Sequence, residues 1–334
     1  MALPLFGIPA GGRTPQGGGL GALNILPRMS DTASPPPLRL DDAAIVRVLR
    51  RLAEQPAAPW LHSEVARRMA ERLALIRLQP ERIVDWWAFL GGSGEVLDAA
   101  YPKAQRIAVE PTAALLQRSR TATERSWWSR WRSAGGSTEA MLAADVAPGR
   151  PGPVQLVWAN MMLHAVEDPP ALMARWQQAL SADGFVMFSC LGPDTLRELR
   201  GLYRRRRWPA PTIPFVDMHD LGDMLVQAGF ADPVMDQETI TLSWSDSAAM
   251  LRELRMMGAN VFPGRTAGLR TPGWRRSLED DLTSLKGADG RLHLSFEIAY
   301  GHAFKALPRA IRNAETSVTL DDMRAMVRSG RTRG

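Results

Sequence analysis

The apolar positions of this chain change their spacing near residue 80. Between residues 41 and 79 they recur every three or four positions, a period that predicts two helices. Asp41 and Asp42 are expected to cap the first helix, and the second is expected at residues 61–78. From residue 82 onward, short apolar runs alternate with helical stretches. These runs are too continuous for a sheet with one face in water, so they predict strands covered on both faces.

The order of these runs predicts the fold class. Four runs lie at residues 82–86, 106–110, 154–160 and 185–189, and two further extended runs lie at 234–244 and 291–300. Helices are expected between them, and residues 181–184 are expected to form a turn. The run at 291–300 alternates in polarity like a strand with two unlike faces. Alternation of strand and helix predicts an α/β protein with a doubly wound parallel sheet and helices on both faces.

The two ends of the chain differ from its middle. Residues 1–38 hold seven prolines and seven glycines with no helical period, which predicts a disordered lead segment. Met29 offers an alternative start, and the lead lacks the basic region of a secretory signal. Residues 307–334 are polar and rich in arginine, and they are expected to form a tail. One sheet domain is therefore expected over residues 41–306.

The composition indicates the cellular compartment of the protein and excludes several classes of partner. The chain of 334 residues has 41 Lys+Arg, 35 Asp+Glu and one cysteine, and 45% of its residues are hydrophobic. A single cysteine, Cys190, excludes a disulfide scaffold and favours a reducing cytoplasm, where it is expected to be an inert core thiol. The basic residues are almost all arginines spread along the chain, so no nucleic-acid partner is expected. No membrane partner and no metal are expected, and a monomer is predicted.

A ligand site is expected where the strand order of an open parallel sheet reverses, beyond the carboxyl ends of the strands. The Gly-rich run at residues 90–94 follows the first predicted strand, and Glu110 ends the second. Glycines let a backbone approach a ligand, and an acid at this position accepts both hydroxyls of a ribose. The alternative interpretation is a tight turn and a solvated acid, and the spacing alone leaves both open.

Long segments of the chain resemble a known family. Residues 157–164 and 181–189 resemble the fourth and fifth strands of class I S-adenosylmethionine-dependent methyltransferases. Four segments resemble a narrower family, the malonyl-[acyl-carrier-protein] O-methyltransferases of biotin synthesis, called the BioC family. They are residues 187–199 (MFSCLGPDTLREL), 214–224 (PFVDMHDLGDM), 228–236 (AGFADPVMD) and 300–304 (YGHAF). The resemblance covers roughly residues 154–306, together with the helix at 61–73.

The resemblance implies a topology and a reaction. The implied sheet order is 3-2-1-4-5-7-6 with an antiparallel last strand, and residues 233–243 and 291–304 are its sixth and seventh strands. The implied domain comprises lid helices at 41–79, a cofactor half at 82–190 and a substrate half at 191–306. The implied reaction is methylation of the free carboxylate of a malonyl group on acyl-carrier protein, with S-adenosylmethionine as donor. A carboxylate acceptor is already ionised, so no catalytic base is assigned.

The resemblance also implies a set of cofactor-binding residues, although the chain departs from the family there. The implied set is Asp85, Gly91, Gly92, Gly94, Glu110, Asp145, Asn160 and His164. A gapless count places the family's three glycines at Trp87, Phe89 and Gly91, and an aromatic-acid pair of the lid is replaced by Gln55-Pro56. A turn shifted onto the three glycines of 91–94 would restore the cradle. The alternative is a catalytically inactive methyltransferase-fold protein that has lost the cofactor loop and acts in binding or assembly.

Several other residues have a functional and a structural interpretation. A basic cluster of Arg197, Arg200, Arg204 and Arg205 would dock an acidic carrier protein, or it is a solvated helix end. His219 beside Asp217 and Asp220 suggests a metal, yet capping of a helix is the preferred interpretation. Trp127, Trp128 and Trp131 would cover a pocket or pack against the sheet.

Overall fold

The structure, a computed structural model, describes residues 40–130, 137–147, 149–266 and 268–306, without the side chains of 123–130. The predictions for residues 1–38 and 307–334, and those for Trp127, Trp128 and Trp131, lie outside this part. The described residues form the sheet and the helices of the predicted domain.

Seven strands form one sheet in the order β3-β2-β1-β4-β5-β7-β6. Their bounds are β1 Arg82–Trp86, β2 Gln105–Glu110, β3 Thr138–Leu142, β4 Val154–Ala159, β5 Leu180–Leu191, β6 Phe230–Trp244 and β7 Leu292–Lys305. Strands β1 to β5 pair in parallel, whereas β7 is antiparallel to both β5 and β6. The expected α/β class, strand order and antiparallel last strand are confirmed.

Ten α-helices accompany the sheet in the described part of the chain. They are α1 Asp42–Ala53, α2 Trp60–Arg72, α3 Ala88–Gly91, α4 Gly94–Ala100, α5 Ala113–Arg130, α6 Pro169–Ala179, α7 Arg197–Arg205, α8 Met218–Gln227, α9 Ser247–Met257 and α10 Pro272–Thr283. Large buried clusters lie around Trp158 and Phe185 and around Trp176 and Phe188. These two clusters are the layers of core expected for a doubly wound sheet.

Side-chain caps explain where several helices begin. The Asp41 carboxylate accepts the Ala44 N–H at 2.9 Å, as predicted for α1. The Asp217 carboxylate accepts the backbone N–H of His219 at 2.8 Å and lies 2.7 Å from its Nδ1, so the capping interpretation of this group is confirmed. Helix α10 was not predicted, although Thr271 at its N-cap followed by Pro272 is a recognised start signal.

Two predicted boundaries are wrong. The second helix ends at Arg72 and continues only as a 3₁₀ turn, Leu73–Leu75. The turn expected at residues 181–184 belongs to β5, where Asp183 takes a left-handed φ of 65° and the pairing with β4 shifts register. The Ser181 hydroxyl donates to the Val154 carbonyl at 3.1 Å, which keeps the irregular segment of β5 attached to β4. Such bulges place turn-like residues inside a strand.

The interpretation of the last strand as two-faced is also wrong. β7 lies between β5 and β6 and is buried along most of its length, whereas alternating exposure is found in the edge strand β6. The polar residues Ser295 and Glu297 misled the prediction. The Ser295 hydroxyl donates to Glu198 at 2.6 Å, and Glu297 accepts the Asp194 N–H at 2.5 Å. Tertiary hydrogen bonds therefore make these polar side chains compatible with the interior.

Candidate active site

A cavity of about 240 Å³ lies at the carboxyl ends of β1, β4 and β5, where the strand order reverses. Helix α1 contributes Leu49 and Leu52 to its wall, and Phe215 and Phe296 contribute aromatic rings. The lining is mostly apolar, and its polar members include His62, His164, Thr195, Thr212 and Asn260. A concave apolar site with a few polar groups at this place in the fold is the expected form of a ligand site.

Three residues that line the cavity hold strained backbone conformations. Trp87, Met161 and Leu196 have φ values of 59°, 54° and 55°. They follow β1, β4 and β5, respectively. Bulky residues seldom adopt the left-handed region, and such strain concentrates at functional sites. Of the three, the sequence pointed only to Trp87, because a glycine is expected at that position; no sequence signal marked the other two.

Both histidines of the cavity wall are uncharged at neutral pH. His62 Nδ1 lies 2.9 Å from the Leu90 carbonyl oxygen, and burial lowers the pKa of His62 to about 4. The Leu191 N–H points to His164 Nδ1 at 3.4 Å, and burial lowers the pKa of His164 to about 3. His164 was among the predicted site residues, whereas His62, on α2, was not. The wall therefore presents neutral imidazoles to a ligand.

Asn160, a predicted cofactor residue at the end of β4, is held in an internal network. Its amide nitrogen donates to the carbonyls of His62 at 2.7 Å and Gly91 at 2.6 Å, and its oxygen accepts the Ser189 hydroxyl at 2.6 Å. Only 1% of its surface is exposed. The side chain therefore fixes β4, β5 and the turn after β1 relative to one another, and it does not line the cavity.

Asp85 is the penultimate residue of β1 and Glu110 is the last residue of the neighbouring strand β2, and neither is exposed. Glu110 Oε1 accepts the Phe89 N–H at 2.7 Å and the Ser119 hydroxyl at 2.5 Å. Burial raises the pKa of Glu110 to about 7. Burial also raises the pKa of Asp85 to about 6, against the opposing effect of Arg106 at 3.4 Å. Among the described residues, Asp85 Oδ1 and Glu110 Oε2 are buried without a hydrogen-bond partner.

The three glycines of the shifted cradle pack against protein. A Cβ at Gly92 would lie 2.7 Å from the Ser63 hydroxyl, and one at Gly94 would lie 3.3 Å from the Arg106 guanidinium. A Cβ at Gly91 would lie 3.5 Å from the Asn160 carbonyl oxygen. None of the three is among the residues that line the cavity. Asp145 lies in an exposed 3₁₀ turn after β3 and is also absent from the wall.

Comparison with known proteins places this site in a family. A family model described as a methyltransferase domain matches residues 60–232. The malonyl-[acyl-carrier protein] O-methyltransferase of Gallionella capsiferriformans is 39% identical, over 82% of this chain and 94% of its own length. The enzymes of the same name from Laribacter hongkongensis and Methylovorus are 36% and 35% identical, covering 83% and 81% of this chain and 92% and 91% of their own.

The chain belongs to the malonyl-[acyl-carrier protein] O-methyltransferase family. The resemblance noted from the sequence is thereby confirmed. The similarity to these methyltransferases extends over nearly their whole length.

The residues after β1 do not fit the family's cofactor, S-adenosylmethionine, in this conformation. The acid expected to hold the ribose, Glu110, is enclosed, and one of its oxygens is bonded to the backbone of the turn itself. Trp87 and Phe89 stand at the two positions where the resemblance to the family predicts glycines. A cavity of about 240 Å³ is also below the ~300–1,000 Å³ usual for ligand pockets, and so leaves little room for a nucleoside cofactor beside an acceptor.

The predicted docking arginines fall into two groups on α7. Arg197 pairs with Asp194 and Glu198, and the half-buried Arg200 donates to the Pro193 carbonyl. Arg204 and Arg205 are exposed, and neither forms an ion pair with another described residue. The exposed pair is therefore the part of the cluster that is available to a partner.

Other predicted features have structural positions. Cys190 is buried in β5, and burial raises the pKa of its thiol to about 12, as expected for an inert core residue. Within the described ranges, no group of three or more His, Cys, Asp or Glu residues is arranged to hold a metal ion. In the same ranges, no helix combines the length and apolarity needed to cross a bilayer.

Proposed function

We propose that this chain methylates the free carboxylate of a malonyl group carried by acyl-carrier protein, with S-adenosylmethionine as methyl donor, in biotin synthesis. The observation that carries the proposal is the 39% identity to a relative of that name over 94% of the relative's length. The apolar cavity at the strand-order reversal supplies the place for the acceptor.

The polar groups of the cavity suit a carboxylate acceptor. A malonyl carboxylate is ionised at neutral pH and needs no general base, so the protein has to orient it and exclude water. His62 and His164 are neutral, and Thr195 is fixed by its hydroxyl donating to the Glu297 carbonyl at 3.0 Å. The two imidazoles offer dipoles, and the negative charge stays on the acceptor, whereas the Thr195 hydroxyl is already paired with the Glu297 backbone as both donor and acceptor. The acyl part is expected to lie against the apolar walls formed by α1 and by Phe215.

The carrier protein is expected to dock on the exposed end of α7. Arg204 and Arg205 present two positive charges there, and an acidic carrier would be attracted to them. Reversing both charges (Arg204→Glu, Arg205→Glu) should weaken carrier binding by about tenfold or more at low salt, with a smaller effect at high salt. Surface plasmon resonance with immobilised malonyl-acyl-carrier protein measures it.

The control for this experiment is the double change Arg77→Glu, Lys103→Glu. Both residues are exposed and lie just before β1 and β2, at the opposite end of the strands from the cavity. The net charge changes by the same amount, so general repulsion would weaken both variants equally. Equal weakening in the two variants would refute docking on α7.

The reaction is tested directly with purified protein, S-adenosylmethionine and malonyl-acyl-carrier protein. A mass gain of one methyl ester on the carrier is the expected product. Restored growth of a biotin auxotroph that lacks this step would agree with it. Absence of the ester under conditions in which a relative such as the Gallionella enzyme forms it would contradict the proposal.

A second candidate function follows from the turn after β1. Trp87, Phe89 and the internally bonded Glu110 favour a non-catalytic family member that binds the carrier or its acyl group without transferring a methyl group. This candidate predicts carrier binding that depends on Arg204 and Arg205, with no ester formed. The two candidates share the docking surface and differ only in the product.

The single cysteine also supports a cytoplasmic location, and we propose that the chain acts there as a monomer. Sedimentation equilibrium should return the mass of one chain, 36.8 kDa. A concentration-dependent dimer would overturn the monomer proposal.

A further inference from the structure

In the turn after β1, Trp87 has a backbone conformation that is typical of glycine, although its side chain is an indole. Trp87 has φ 59°, the left-handed conformation that glycine adopts without strain. Its N–H donates to the Val109 carbonyl at 2.7 Å and so continues the contact between β1 and β2. This hydrogen bond holds the strained residue against β2 in this conformation. Its side chain forms part of the cavity wall.

The same turn satisfies the acid that a ribose would otherwise bind. The Phe89 N–H donates to Glu110 Oε1 at 2.7 Å, and the Ser119 hydroxyl donates to the same atom at 2.5 Å. The second oxygen, Oε2, is buried and finds no partner among the described residues. A backbone amide of the chain therefore takes the place of a ligand donor, while one acceptor site stays unused.

Helix α1 and Arg118 hold the turn from the other side. Trp87 and Phe89 pack against a cluster that includes Leu49 and Leu52 of α1. The Arg118 guanidinium lies 4.9 Å from the centre of the Phe89 ring.

The Arg118 guanidinium also donates to the Gln55 carbonyl at 2.7 Å and to the Pro56 carbonyl at 3.1 Å. Gln55-Pro56 is the place where the chain lacks the family's lid pair. Two departures that lie far apart in sequence are therefore one structural unit, joined by Arg118.

We propose that the segment Trp87–Gly91 is an internal occupant of the cofactor site, clamped between Glu110 and the α1–Arg118 unit, and that a cofactor binds only after this segment leaves Glu110. The inference rests on the proposed function, because it presumes that the chain uses the family's cofactor. It makes the turn a competitor of the cofactor. Loosening the clamp should therefore raise cofactor affinity even though no cofactor contact is added.

The test is equilibrium dialysis of S-adenosylhomocysteine against the purified full chain. The double change Trp87→Gly, Phe89→Gly removes both side chains and relieves the strain, and it should tighten binding at least about tenfold. Arg118→Ala removes only the arginine from the clamp, leaves the Phe89 N–H bonded to Glu110, and should tighten binding about threefold. Trp60→Ala, an exposed tryptophan at the start of α2, is the control and should bind as the wild type does.

Hydrogen exchange of the peptide at residues 86–92 gives a second readout. The Phe89 amide donates to Glu110 and is expected to exchange slowly in the free protein, and Arg118→Ala should raise its exchange rate while circular dichroism remains native. This variant keeps the inference testable if the double glycine variant fails to fold.

Two results would overturn the inference. One is tight binding by the wild type that the folded variants do not improve, and the other is no binding by folded variants with rapid exchange at residues 86–92. Failure of methyl transfer alone looks different, because the variants would still gain cofactor affinity while no ester forms on the carrier.

Discussion

Two neighbouring regions of the sheet differ in how their buried polar groups are hydrogen-bonded. One lies at the ends of β4 and β5, and the other lies at the ends of β1 and β2. At the first place, Asn160 and Ser189 bond to each other and to the backbone of three segments. At the second, Asp85 and Glu110 are buried carboxyls, and each has an oxygen without a partner among the described residues.

The difference separates a structural network from a ligand site. Buried polar groups that exist for stability are normally fully hydrogen-bonded, since an unpaired one costs free energy. Ionisable groups with displaced pKa values and incomplete bonding concentrate at functional sites. The Asp85 and Glu110 pair therefore has the properties of a ligand site, now filled in part by the chain's own turn.

The largest effect is expected in the structural network. Asn160→Ala removes the partners of the His62 and Gly91 carbonyls and of the Ser189 hydroxyl, and should lower the free energy of unfolding by about 3 kcal/mol. Urea denaturation measures it.

Asn260→Ala is the matched control for this change. Asn260 makes two side-chain hydrogen bonds, to Ala210 and Phe262, against three for Asn160, and it lies in a partly exposed loop, so its loss should cost under about 1 kcal/mol. Similar losses for the two variants would show that the network is not special.

A second effect depends on pH and comes from Glu110. Its folded pKa of about 7 lies above the ordinary 4.5, so the folded state binds the extra proton between these values. The contribution of Glu110 to the free energy of unfolding is therefore largest below pH 4.5 and falls as the pH rises to 7, by at most ~3 kcal/mol. Glu110→Gln should remove this component of the pH dependence.

Urea denaturation at half-unit steps of pH measures this component, and Asp85→Asn is the companion variant. The folded pKa of Asp85 is raised to about 6 from 3.8. Its contribution to the pH dependence of stability therefore ends about one pH unit below that of Glu110. If Glu110→Gln leaves the slope between pH 6 and 7 unchanged, Glu110 is not the group that titrates there.

The smallest effect concerns the hydroxyl that supports Glu110. Ser119→Ala removes a 2.5 Å hydrogen bond to the carboxyl and should cost about 1 kcal/mol, more above pH 7 where Glu110 is ionised. Thermal unfolding at pH 6 and pH 8 measures it. The control Ser284→Ala removes a bond of 2.6 Å to the Asp281 carbonyl that is exposed to water, and it should have little effect at either pH. A pH-independent loss at Ser119 would argue against its link to Glu110.

Most of the fold was predictable because its strands and helices follow from the spacing of apolar residues that are close along the chain. The apolar runs at 82–86 and 106–110 identified β1 and β2 within one residue, and the family resemblance supplied the strand order. The errors fell where tertiary contacts outweigh local pattern. Ser295 and Glu297 are polar, yet α7 and the segment before it provide their partners inside the core.

The candidate site was predictable in its location and not in its contacts. His164 lines the cavity, whereas Asn160 and the glycines of residues 91–94 face protein. His62 was missed because it reaches the site from α2, ahead of the sheet. No periodic pattern marks such a residue.

The sequence by itself determined the α/β class and the family, and it predicted an anomaly at Trp87 and Phe89, since each can be read from residues that are close along the chain. Only the tertiary structure decided what the anomaly does. It joined Phe89 to Glu110 and, through Arg118, to Gln55. These residues lie 21 or more positions apart, and hydrogen bonds over such separations form only when the packed core has fixed the strands and α1 in place.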